Sequence, residues 1–193
     1  RLLDQLNDLT EPATDDRWCA RHYAPADTER PDLERERLFY TRENALRIDA
    51  ILAFIDKHLN DGAEESLLTR DLVLASLLVE MSVHSNTSGV MKGFHRGWGG
   101  RGGDALSRIL APVELEAMPW IEGPVGSVAL GDAAEISRRG RSFDVVYADP
   151  PYNIHQYGAN YHLLTSAVRG DRYDPGPVVR GARAGIRTDH TRS

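Results

Sequence analysis

Phe143-Asp144-Val145-Val146-Tyr147-Ala148 runs without a break into Asp149-Pro150-Pro151-Tyr152. The first six residues are rich in apolar and β-branched types and stop at a proline pair, so they read as a buried strand. In an open α/β sheet, ligands bind just beyond the carboxyl ends of the strands, which is where the tetrapeptide falls. Pro150 and Pro151 hold φ near about −65° and lack backbone donors, giving a stiff turn that aims a carboxylate, bare carbonyls and an aromatic ring at one pocket. That set suits a flat ring bearing an amino group. Asp149 accepts one N–H, the Pro150 carbonyl accepts the other, and Tyr152 stacks on the ring.

Upstream, Val125-Gly126-Ser127-Val128-Ala129-Leu130 reads as a second short strand, ending at Gly131-Asp132 and followed by a helix over 133–139. Strand, turn, helix, strand is a parallel crossover, the unit of a doubly wound sheet. The expected fold class is therefore α/β, with an incomplete Rossmann-like sheet and a helical N-terminal half. Asp132 stands at the carboxyl end of its strand. It can serve as a helix N-cap or as a ligand-binding carboxylate, and the residues leave both readings open.

The tetrapeptide and its extension, Tyr147 through Leu164, resemble the catalytic region of the Dam-like class of S-adenosylmethionine-dependent DNA N6-adenine methyltransferases. Two further stretches are similar to that class, Phe39 to Ile51 and Asn86 to Phe94. The resemblance implies methyl transfer from S-adenosylmethionine to N6 of a flipped-out adenine in double-stranded DNA, within a restriction-modification system with a cognate endonuclease or another DNA-modification system. It implies catalytic roles for Asp149, Pro150, Pro151 and Tyr152, cofactor binding by Asp132 and Ala133, and a place for Asn153 in the base pocket. The alternatives are an RNA or N4-cytosine amino-methyltransferase, which handles the same kind of amino group, and a non-catalytic DNA-binding remnant. The family's aromatic, glycine-rich cofactor loop resembles nothing here. The chain is thus expected to be a fragment that alone binds cofactor weakly or not at all.

The rest of the 193-residue chain is read from periodicity and charge. Leu2, Leu3, Leu6 and Leu9 have helical spacing, and residues 13–34 form an irregular connection in which Trp18 and Tyr23 pack. Thr41 caps a helix through Leu59 whose apolar stripe is Ala45, Ile48, Ile51, Leu52 and Ile55. Within it, Asn44 and Asp49 are explained by capping and surface solvation. A second helix, 65–83, is apolar enough to lie against the sheet. A short helix is expected over 104–110, a strand or edge piece over 115–120, and a helix over 159–168. Either Tyr157 or Tyr161 could wall the base pocket, and packing of that last helix on the sheet is the expected use of both.

Between His84 and Gly103, Lys92, Phe94, His95, Arg96, Trp98 and Arg101 alternate with glycines. Basic and aromatic groups on a glycine-rich backbone supply phosphate contacts and stacking, so Lys92, Arg96 and Arg101 are the candidate DNA contacts. A flexible surface loop is the plainer alternative. The net charge of −6 conceals an uneven distribution. Residues 1–83 carry 10 basic and 18 acidic side chains, whereas 84–110 carry four basic groups against Asp104 alone. The organisation expected is a helical part, 1–83, an inserted DNA-contacting segment, 84–122, and a catalytic part, 123–193. The single cysteine, Cys19, allows no internal disulfide and fits a cytoplasmic location. No apolar run has the ~20 residues of a membrane span, and His155 and His162 lack partners at metal-ligand spacing.

Overall fold

The computed structural model describes residues 1–119, 121–124, 126–138, 142–149 and 157–178. The chain divides into two compact units, residues 119–154 forming the smaller one.

The larger unit is helical. It holds α1 (Leu2–Asn7), α2 (Trp18–His22), α3 (Arg42–His58), α4 (Glu64–Val83) and α5 (Leu106–Leu110), whereas α6 (Ala133–Ser137) lies in the smaller unit and α7 (Tyr157–Arg169) again in the larger. Thr41 caps α3 as expected, its hydroxyl accepting from the Asn44 amide at 3.1 Å. Glu43 in the first turn and Lys57 and His58 in the last complement the helix dipole. The stripe Ala45, Ile48, Ile51, Leu52 and Ile55 is buried. It meets Tyr23, which stacks edge-on with Trp18 at 5.1 Å and with Phe39 at 5.6 Å. Truncating one such isoleucine to alanine costs roughly 2–5 kcal/mol.

Asn44 and Asp49 are not solvated surface residues, because both are buried. Asp49 accepts from the amides of Cys19 at 2.7 Å and Ala20 at 2.8 Å, satisfying the first turn of α2. Burial pushes its carboxyl up to about 7, against the pull of those two amide bonds. Asn44 donates to the carbonyls of Ile109 and Ala111 and accepts from the Val113 amide at 2.9 Å. Further along the same extended strip, Asn7 pairs with both backbone groups of Leu115, Arg47 donates to the Val113 carbonyl, and Ser76 bonds both backbone groups of Glu116. Side chains thus do for residues 109–116 what a neighbouring strand would do in a sheet. Leu115 and Glu116 belonged to the expected edge piece, and Trp120 lies outside the described residues.

The Rossmann-like sheet is corrected by the structure, since no strand occurs among the described residues. In the smaller unit the described residues of the two expected strands make no ladder. Their apolar side chains face solvent, with Leu130 105% and Tyr147 89% exposed. The physical reason is that a strand exists only through its neighbours. A parallel pair needs further strands and a covered face on each side to be stable, and one five-residue helix, α6, covers neither. The second helix likewise packs otherwise than expected. Val73, Leu74, Leu77 and Met81 of α4 turn into the helical core, and Leu68, Leu72 and Val79 stay exposed.

Candidate nucleic-acid interface

Asn86 organises the glycine-rich segment. It is fully buried, and its backbone amide donates to the Phe39 carbonyl at 2.8 Å. Its side-chain nitrogen donates to the carbonyls of Leu38 at 3.0 Å, His95 at 3.2 Å and Gly97 at 3.3 Å, and its side-chain oxygen accepts from the Gly99 amide at 3.2 Å. One amide side chain therefore ties three points of the loop to the chain just before α3. Phe94 packs on Phe39 with ring centroids 5.1 Å apart, and the Trp98 indole donates to the Thr28 carbonyl at 2.9 Å. Gly99 has φ +82° and lies so near Gly103 that a Cβ would meet its Cα at 3.0 Å, so this turn accepts only glycine. These contacts pin the segment to the helical core at several points.

From this frame the basic groups project outward. Arg96 and Arg101 are exposed and Lys92 is half-buried. None of the three makes an ion pair among the described residues. The amide of Met91, next to Lys92, donates to the Asn160 carbonyl of α7 at 2.7 Å, which fastens the loop to the helix that follows the tetrapeptide. On α7 the buried face is His162, Leu163, Ser166 and Ala167. Tyr157 and Tyr161 do not pack inward as expected; they stack on one another, and both are exposed.

In the smaller unit Asp149 is exposed. Pro150, Pro151, Tyr152 and Asn153 lie outside the described residues. Asp132 caps α6, its Oδ1 accepting from the amides of Ala134 at 2.8 Å and Glu135 at 3.2 Å, and Ala133 is the first residue of that helix. The cap reading of Asp132 is thereby realised, and Oδ2 takes no part in it. No group of three or more metal-ligating side chains occurs among the described residues, and no described helix is long and apolar enough to cross a membrane.

Sequence reasoning passed over Asn86 as an anchor. Its only local signal is an asparagine standing at the boundary between an apolar helix and a run of glycines.

Comparison with known proteins agrees with the motif. The family model of the D12 class N6 adenine-specific DNA methyltransferases matches residues 29–174. The chain is 30% identical over 184 residues to Modification methylase LlaI of Lactococcus lactis subsp. lactis, covering 86% of this chain and 25% of that protein. It is 33% identical over 141 residues to Type II methyltransferase M.NlaIII of Neisseria lactamica, covering 72% and 40% respectively. With Type II methyltransferase M.FokI of Planomicrobium okeanokoites it shares 31% identity over 144 residues, covering 73% of this chain and 21% of the relative. The chain thus spans well under half the length of these relatives. No solved structure matches it significantly. By a match that covers most of its length and includes the Asp149-Pro150-Pro151-Tyr152 stretch, the chain belongs to the D12 class of N6 adenine-specific DNA methyltransferases.

Proposed function

We propose that the protein transfers a methyl group from S-adenosylmethionine to N6 of an adenine flipped out of double-stranded DNA. It does so in the cytoplasm, as the modifying half of a restriction-modification system with a cognate endonuclease. The observation that carries this reading is the family match over residues 29–174, which contains the whole tetrapeptide. In this reading 1–83 is scaffold, 84–122 meets DNA, and 123–193 carries the chemistry.

Asp132 and Ala133 would give the cofactor part of its site, while the family's aromatic, glycine-rich loop has no counterpart in this chain. Asp132 uses Oδ1 for its helix cap, so Oδ2 of the same exposed carboxylate remains to accept from an amino or hydroxyl group, and Ala133 beside it adds little bulk. Bound there, S-adenosylmethionine supplies an electrophilic methyl group on sulfonium. The N6 nitrogen is a poor nucleophile because its lone pair is delocalised into the ring. Asp149 and the Pro150 carbonyl would accept hydrogen bonds from its two N–H groups, favouring the pyramidal nitrogen and stabilising the positive charge growing on it; as the N–C bond forms the S–CH3 bond breaks, S-adenosylhomocysteine leaves, and one N6 proton passes to solvent. Tyr152 stacks on the ring, Pro151 stiffens the turn, and Asn153 lines the pocket. Flipping the base costs on the order of a few kcal/mol, and Lys92, Arg96 and Arg101 hold the flanking phosphates.

The test is incorporation of labelled methyl into defined oligonucleotides, by this chain and by a version extended to the relatives' length, each with and without Asp149→Ala. Label on adenine N6 that disappears with the substitution supports the proposal. Label in RNA or on cytosine N4 replaces the substrate. DNA retention with no label in either form and no dependence on Asp149 leaves a binding remnant and refutes catalysis.

A further inference from the structure

We infer that the stacked pair Tyr157 and Tyr161 is a platform on which a nucleobase that has left the DNA stack comes to rest. This rests on the proposed action on DNA and adds a contact that none of the catalytic assignments includes. The two rings lie one helical turn apart on α7, nearly parallel at 13° with centroids 5.8 Å apart. Each covers one face of the other, and the pair remains 51% and 40% exposed. Scattered exposed aromatic residues need no explanation. Two rings stacked parallel on a helix whose other face is buried through Leu163 and Ala167 form something different, a contiguous exposed aromatic surface.

Its surroundings specify what would cover it. The Asn160 carbonyl, between the two tyrosines in sequence, accepts from the Met91 amide at 2.7 Å, so the platform's helix is bonded to the loop that carries Lys92, Arg96 and Arg101. Over residues 84–103 that loop has these three cations and no acidic side chain. An apolar protein partner would have no use for such a field, whereas a nucleic-acid strand brings phosphates to the cations and a π-face to the rings. The occupant is therefore a base unstacked from its duplex beside the flipped position, the target adenine itself resting on Tyr152. Stacking of this kind is tolerant of base identity, so the pair contributes affinity for distorted DNA without reading sequence.

The test uses the 193-residue chain, a fully paired duplex, and the same duplex with one mispaired 2-aminopurine. The doubly substituted Tyr157→Ala, Tyr161→Ala protein is expected to lose on the order of ten-fold in affinity for the mispaired duplex, with its affinity for the paired duplex and its helical circular dichroism unchanged. Quenching of 2-aminopurine fluorescence at saturating protein should vanish in that variant and persist in Tyr157→Phe, Tyr161→Phe, which keeps the rings. Undiminished affinity, unchanged quenching, or an equal loss on both duplexes would each overturn the platform while leaving action on DNA intact. Failure of the unsubstituted chain to bind either duplex would overturn the platform, whereas the proposed function stands or falls on the methyl-transfer assay.

Discussion

Replacing Asn86 by alanine should cost this protein a large part of its stability and undo the glycine-rich loop of residues 86–103. The side chain's two N–H groups serve three carbonyls, and its oxygen serves the buried Gly99 amide. Losing two satisfied donors removes about 1–3 kcal/mol, and leaving the Gly99 amide without an acceptor adds about 1–3 kcal/mol more. The sum, roughly 2–6 kcal/mol, is a large fraction of the ~5–15 kcal/mol that holds a domain folded. Asn86→Asp should be no better, because its second oxygen would face the carbonyls of Leu38, His95 and Gly97 in place of a donor. Urea unfolding followed by circular dichroism measures the loss, and the fluorescence of Trp98, whose indole is tied to the Thr28 carbonyl, reports on the loop. A loss below about 1 kcal/mol in Asn86→Ala would mean that water replaces these bonds freely and that Asn86 is no anchor.

Three further outcomes follow from the same geometry. Asp49 holds its proton up to about pH 7 in the folded chain but only to about 3.8 when unfolded, so between those values the unfolded state binds fewer protons. This contribution to stability is therefore full below pH 3.8 and is lost as pH rises through 7. Asp49→Asn should flatten that slope in urea midpoints compared at pH 5 and pH 8, even though its amide can serve only one of the two α2 amides. Arg96→Gln and Arg101→Gln, both at exposed positions, should leave unfolding unchanged. Each should lower the slope of log affinity against log salt for duplex DNA by about 0.9 in filter-binding titrations. Arg172 bridges Asp16 and Asp56 at 2.6 Å each from a mostly buried position, and the carboxylates are half-exposed. Arg172→Gln should consequently cost only about 1–2 kcal/mol in the same urea experiment.

The helices were legible because the information that makes them is local. A cap at Thr41 and an apolar stripe from Ala45 to Ile55 lie within one stretch of chain, and the structure forms α3 where they indicate. Strands and buried polar residues depend on partners distant in sequence. The apolar run ending at Ala148 has the composition of a buried strand, yet its described residues have no neighbouring strand to pair with, and composition cannot distinguish a strand from a segment that only wants to be one. Asn44, Asp49 and Asn86 show the converse. Each would pass for a surface residue by type, and each is buried because backbone groups elsewhere need it: residues 109–113 for Asn44, 19 and 20 for Asp49, and the 95–99 turn for Asn86. The same distinction divides the candidate site. Glycine, arginine and lysine content marked 84–103 as a nucleic-acid segment, but composition is equally compatible with a loose loop. What separates a loose loop from an interface is whether its cations are held in place before DNA arrives, since ordering them on binding would consume affinity. Here the backbone of the segment is held by a neutral side chain, Asn86, by one backbone bond from Met91 to α7 and by the Phe94 and Trp98 contacts, none of which carries a charge that a reading of the sequence for DNA contacts would seek.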